Sequence, residues 1–129
     1  MLDAKMMQER TDSFIHCDSK LLEITCRDFG DEVVIRLDDD RVRDAIYTFL
    51  ECEYVSINHW GGEEKRGEWS HYEWTRNYTA HNFDVTIGEK DGHEYYVFQL
   101  DLESIWVTIY CLDLRIDMVD KEKPNDSTK

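Results

Sequence analysis

Ile105-Trp106-Val107-Thr108-Ile109-Tyr110-Cys111-Leu112-Asp113-Leu114-Arg115-Ile116-Asp117-Met118 is the stretch on which the fold turns. Successive residues of an extended chain point to opposite sides. Ile105, Val107, Ile109 and Cys111 therefore occupy one face. The phase then slips by one residue. Leu112, Leu114, Ile116 and Met118 carry the apolar series, with Asp113, Arg115 and Asp117 between them. A bulge near 110–112, or a strand crossing from one sheet to another, would produce that slip.

The same period of two recurs on either side. Phe83, Val85 and Ile87 alternate with polar residues, and Tyr96, Phe98, Leu100 and Leu102 form a return strand. Between them, Asp91-Gly92 is favoured where φ must be positive, which marks a hairpin. Upstream, Leu22, Ile24 and Cys26 alternate with Glu23, Thr25 and Arg27, and Val33, Ile35 and Leu37 follow. Asp28-Phe29-Gly30-Asp31 supplies turn residues between these runs, again a hairpin. Val55 and Ile57 continue the pattern over 53–58.

Residues 40–51 read two ways. Val42, Ala45, Ile46, Phe49 and Leu50 sit at helical spacing, and Asp38, Asp39 or Asp40 could cap a first turn. Yet Ile46-Tyr47-Thr48-Phe49 is rich in strand formers, and a strand over roughly 45–50 is favoured. The expectation is a mainly β chain of about six or seven antiparallel strands, as a sandwich or a strongly curved sheet. The alternative is an α+β fold with a helix near residues 40–51. Residues 1–129 read as one domain, with a polar lead-in over 1–13 that holds a helical turn or two, and a frayed tail over 121–129. Cys26 and Cys111 fall in apolar alternation as core thiols. Tyr47 and Tyr54 read as half-buried sheet residues, and His93 as exposed.

Composition excludes several classes. The chain has 129 residues, with 29 Asp+Glu against 15 Lys+Arg, for a formal net charge of −14. Clustered cations are needed to displace counterions from a nucleic-acid backbone, so no nucleic acid is expected as a partner. An anionic membrane surface is excluded on the same ground. The acids are spread evenly over both halves, so they belong to the folded body and not to a tail. Hydrophobic residues make up 41%, enough to form a core despite the charge. Met1 to Arg10 has no apolar signal core, and no apolar run approaches the ~20 residues of a membrane span, so a cytoplasmic protein is expected. The four cysteines contain no C-x-x-C, which leaves zinc-ribbon and thioredoxin-like sites unsupported.

Catalytic signatures are missing too. Gly62 and Gly67 lack the Lys-Ser/Thr of a phosphate loop. Val97 stands where a zinc-protease helix needs its second histidine, and no nucleophile elbow occurs. Neither a cofactor nor an enzymatic reaction is expected. Residues 59–81 stand apart, with Trp60, Trp69 and Trp74, Tyr72 and Tyr78, and His59, His71 and His81 in a Gly-containing polar segment. One reading is a recognition surface, since Trp, Tyr and Arg dominate binding hot spots. A second is a metal site on the histidines, whose spacings of 12 and 10 match no standard ligand pattern. A third is an aromatic cap on the core.

Three runs carry a resemblance to known proteins. They are Asp-x-Lys-Leu-Leu-x-Ile from Asp18 to Ile24, Phe-Leu-Glu-Cys-x-Tyr-Val-Ser-Ile from Phe49 to Ile57, and Ile-Tyr-Cys-Leu-x-Leu-Arg-Ile from Ile109 to Ile116. Over roughly residues 18–118 the chain resembles the small, acidic, β-rich bacterial immunity proteins encoded beside polymorphic or contact-dependent toxins. Segment 59–81 has no counterpart in that pattern. The resemblance implies action by binding: the blocking of a toxin's active site.

An acidic inhibitor is electrostatically matched to a basic, nuclease-type toxin. The expected contacts are Asp38, Asp39, Asp40, Asp44, Glu51 and Glu53 as an acidic face, with Trp60, Trp69, Tyr72 and Trp74 beside it. The alternative is a module for small ligands or carbohydrates that stacks them on the tryptophans. A metal-dependent enzyme using His71, His81 and Glu73 is a third reading.

Overall fold

The computed structural model describes residues 3–13, 19–38, 42–59 and 79–121. It contains a helix, α1 (Ala4–Asp12), and the strands β1 (Ser19–Arg27), β2 (Glu32–Asp38), β3 (Arg43–Leu50), β4 (Tyr54–His59), β5 (Thr79–Ala80), β6 (Asn82–Lys90), β7 (His93–Asp101), β8 (Ile105–Cys111) and β9 (Asp113–Asp120). One antiparallel sheet has the order β5-β1-β2-β3-β9, the other β4-β8-β7-β6. Their apolar faces meet, as in a sandwich. Phe49 of the first sheet stands edge-on to Phe98 of the second with centroids 4.9 Å apart, and Tyr47 to Phe83 at 5.3 Å.

The phase slip at Leu112 is a change of sheet. β8 pairs with β4 and β7, whereas β9 pairs with β3. Ile105, Val107, Ile109 and Cys111 are buried in one sheet and Leu114 in the other, with a single exposed residue, Leu112, between the strands. The chain also changes sheet between Leu50 and Tyr54, and again at His81 between β5 and β6.

Residues 43–50 form a strand, not the alternative helix. β3 lies between β2 and β9, and Asp44, Ala45, Tyr47, Thr48 and Phe49 are buried on both of its faces. Two-sided burial removes the period of two, which is why the run also fits helical spacing. Both hairpins form. At Asp91-Gly92 the φ angles are 56° and 79°, the geometry of the tight turn that suits twisted strands.

The structure differs from expectation in four side chains. The β1–β2 register shifts between Leu21 and Glu23, so Leu21 and Ile24 pack on the core while Leu22 faces outward. Cys26 is exposed, because it sits at the end of β1 against an open cavity and not within the core. Tyr47 is fully buried, and its hydroxyl donates to the Thr11 carbonyl at 3.1 Å. Tyr54 is more exposed than expected, since β4 is an edge strand. Cys111 is buried and His93 exposed, as expected.

The lead-in is structural. Asp3 caps α1 by accepting from the Met6 N–H at 2.8 Å. Met7 and Thr11 are buried on the face turned to the sandwich. The Gln8 carboxamide donates to the Phe83 carbonyl at 2.6 Å and accepts from the Val85 N–H at 2.8 Å, so a side chain pairs with the outer edge of β6. Lys121 is held as well, its backbone N–H donating to the Val42 carbonyl at 2.7 Å. Residues 122–129 of the expected tail lie outside the described residues.

Candidate functional site

Three connections converge at one end of the sandwich: the turn Asp28–Asp31, the link 51–53 between β3 and β4, and Leu112. Backbone hydrogen bonds bind them together. Cys52 N–H donates to Asp31 O at 2.8 Å, Glu53 N–H to Tyr110 O at 2.7 Å, and Leu112 N–H to Leu50 O at 3.1 Å. Asp28, Asp31, Glu32, Glu51 and Glu53 line a cavity of about 510 Å³ here, with Leu112 and Tyr95 among its apolar walls. A second cavity of about 610 Å³ shares Asp31, Cys52 and Glu53, and extends to Cys26, Phe29, Tyr54 and Ile57.

Positive charge at this end is sparse. Arg27 reaches Glu32 at 3.9 Å and Lys90 reaches Glu53 at 3.6 Å. Both contacts are long and partly exposed, so they neutralise little. Phe29 stands at the tip of the turn with a relative exposure of 108%, and Tyr54 and Ile57, which line the same cavity, are exposed as well. An aromatic ring wholly in water is unusual and costs the free chain apolar hydration. Asp28, Phe29 and Glu51 also take φ of 52°, 60° and 54°, left-handed values that non-glycine residues rarely adopt. Such strain gathers at binding sites more often than elsewhere.

The expected acidic face does not lie on one surface. Asp38 and Asp44 sit near one end of the pairing between β2 and β3, whereas Glu51 and Glu53 follow the other end of β3. Asp44 is buried, and its carboxylate is engaged within the chain. Arg36 Nε donates to it at 2.8 Å and Lys121 Nζ at 2.6 Å, while the same Nζ donates to Asp38 at 2.6 Å. Burial alone pushes the Asp44 carboxyl up, but these two cations overcome it and hold it below the usual carboxylate range. Lys121 is held above the ordinary lysine range by its hydrogen bonds to Asp38 and Asp44. Glu51 and Glu53 do lie in the convergent end. Asp39, Asp40, Trp60, Trp69, Tyr72 and Trp74 fall outside the described residues.

Sequence reading took Asp28–Asp31 only as a turn and missed Phe29. The available signal was an aromatic residue amid three turn formers, where nothing local requires it. Among the histidines, His59 ends β4, His81 contacts Glu103 at 3.0 Å, and His71 lies outside the described residues. No group of three or more His, Cys, Asp or Glu side chains placed to hold a metal occurs among the described residues. No helix among them is long and apolar enough to cross a membrane.

Comparison with curated proteins finds no match. A comparison with protein families does. The matching family is Immunity protein PIM7, its model covers residues 3–118, and the chain belongs to that family of immunity proteins.

Proposed function

We propose that the chain is a non-enzymatic inhibitor that binds a cognate toxin of basic, nuclease type. The proposed contact surface is the convergent end of the sandwich, with Asp28, Asp31, Glu51 and Glu53 as its charge and Phe29 as its apolar anchor. The observation that carries this reading is the juxtaposition of those carboxylates with a fully exposed aromatic ring. Membership of an immunity-protein family supports a toxin as the partner. A net charge of −14 would steer the chain toward a cationic active-site cleft and raise the association rate. The ring would supply buried area once the surfaces meet, and anchors of this kind concentrate binding energy.

The test uses the toxin domain encoded beside this gene, with binding kinetics measured at low and high salt. Rim charges act mainly on association. The double reversal Asp31→Lys with Glu51→Lys is expected to slow association at least tenfold at low salt and to flatten the salt dependence. Absence of binding to that toxin would overturn the function. Binding that the double reversal leaves unchanged would overturn the surface.

A further inference from the structure

Cys52 and Cys111 lie where the β3–β9 ladder gives way to the β4–β8 ladder. Backbone hydrogen bonds bracket them: Leu112 to Leu50 on one side and Glu53 to Tyr110 on the other. These two bonds leave Glu51 and Cys52 together facing Cys111 across the junction, and residues opposed across antiparallel strands lie about 4.5–5.5 Å apart at Cα, within the ~4.4–6.8 Å that a disulfide spans. The Cys52 thiol donates to the Phe49 carbonyl at 3.4 Å, on the β3 side of the same junction. Cys111 is buried, whereas Cys52 is half-buried and lines both cavities of the convergent end. Both are free thiols.

We propose that Cys52 and Cys111 are an oxidation site at which a peroxide closes an intramolecular disulfide. The Cys111 side chain favours the Cys52 thiolate and, with the Val33 backbone, holds its pKa below the usual thiol range. Burial and the carboxylates of Asp31 and Glu32 oppose this. Cys111 is held well above that range, first by its partner thiol and then by burial. Of the two, only Cys52 lines the open cavities where peroxide can reach it, so the roles are divided. The Cys52 thiolate attacks one peroxide oxygen, the O–O bond breaks, and hydroxide leaves as Cys52 becomes a sulfenic acid. The Cys111 sulfur then attacks the Cys52 sulfur, the S–O bond breaks, and the hydroxyl departs as water with the Cys111 proton. Two thiols and one hydrogen peroxide give one disulfide and two waters. The new bond ties the link 51–53 to the end of β8, beneath the carboxylates of the proposed contact surface.

The experiment treats the full chain, reduced beforehand, with hydrogen peroxide. The expected product is monomeric and lighter by two hydrogen atoms. It yields a Cys52–Cys111 linked peptide on mapping, and dithiothreitol returns it to the starting mass. A closed loop of this length constrains the unfolded chain, so the melting temperature is expected to rise by roughly 10 °C on oxidation. Cys26→Ser is expected to leave the product unchanged. Cys52→Ser, at the half-buried position, is expected to abolish it while the variant keeps the circular dichroism of the parent. A Cys26–Cys52 link, a disulfide-linked dimer, or peroxide-treated protein in which Cys111 still alkylates on unfolding would each overturn the proposal.

Discussion

Replacing Phe29 with glycine separates the stability of the fold from its proposed use. At 108% exposure the ring makes no packing contribution that truncation could remove. Its backbone is held at φ 60°, where an L-residue pays about 1–2 kcal/mol that glycine does not. Against this, glycine gives the unfolded chain extra freedom, which costs roughly 0.5–1 kcal/mol. The balance is a stabilisation of about 0.5–1 kcal/mol, read by urea unfolding as a higher midpoint at unchanged slope. Phe29→Ala keeps the strained backbone and should stay within about 0.5 kcal/mol of the parent. Both variants should weaken toxin binding by at least about 2 kcal/mol, roughly thirtyfold, as expected for a lost aromatic anchor. Destabilisation of Phe29→Gly by more than about 1 kcal/mol would show that the ring supports the fold, and the argument from strain would fail. Unchanged binding in both variants would remove Phe29 from the interface.

Two further predictions concern the opposite end and the helix. The Asp44 carboxyl is held below the usual carboxylate range in the folded chain, so its stabilisation is fully present above that range and is lost as pH falls through the folded value, below about pH 4. The melting temperature of the parent should therefore drop more steeply between pH 5 and pH 2 than that of Asp44→Asn, and equal slopes would refute the assignment. Tyr47→Phe removes the hydroxyl that satisfies the Thr11 carbonyl at the end of α1. It should cost about 1–3 kcal/mol in urea unfolding, the penalty of a buried acceptor left unpaired.

Local alternation was enough to read both hairpins, and the slip at Leu112 was enough to place a discontinuity in the last strand. Distinguishing a bulge from a change of sheet required knowing the partners of β8 and β9, which local sequence does not contain. The bulge near Leu22 was invisible for a related reason. Leu21 and Leu22 are chemically alike, and only pairing with β2 decides which faces the core. The acidic face failed as a unit because closeness along a chain is not closeness in space. Asp44 and Glu51 are seven residues apart, and a strand advances about 3.3 Å per residue, so a sequence cluster spans roughly 23 Å. Meanwhile Asp28 and Asp31 joined Glu51 and Glu53 through the meeting of separate links.

The Gln8 carboxamide takes on a different meaning when the chain is shortened. β6 borders its sheet, and the Phe83 carbonyl and Val85 N–H on its free side are satisfied by one side chain of α1. A chain cut after Ser13, by a protease or by design, keeps the strands of the described residues but presents that border to any extended peptide. Unprotected strand borders template self-association. Loss of the first thirteen residues should thus appear first as polymerisation and poor recovery of soluble protein, ahead of any failure of the sandwich itself.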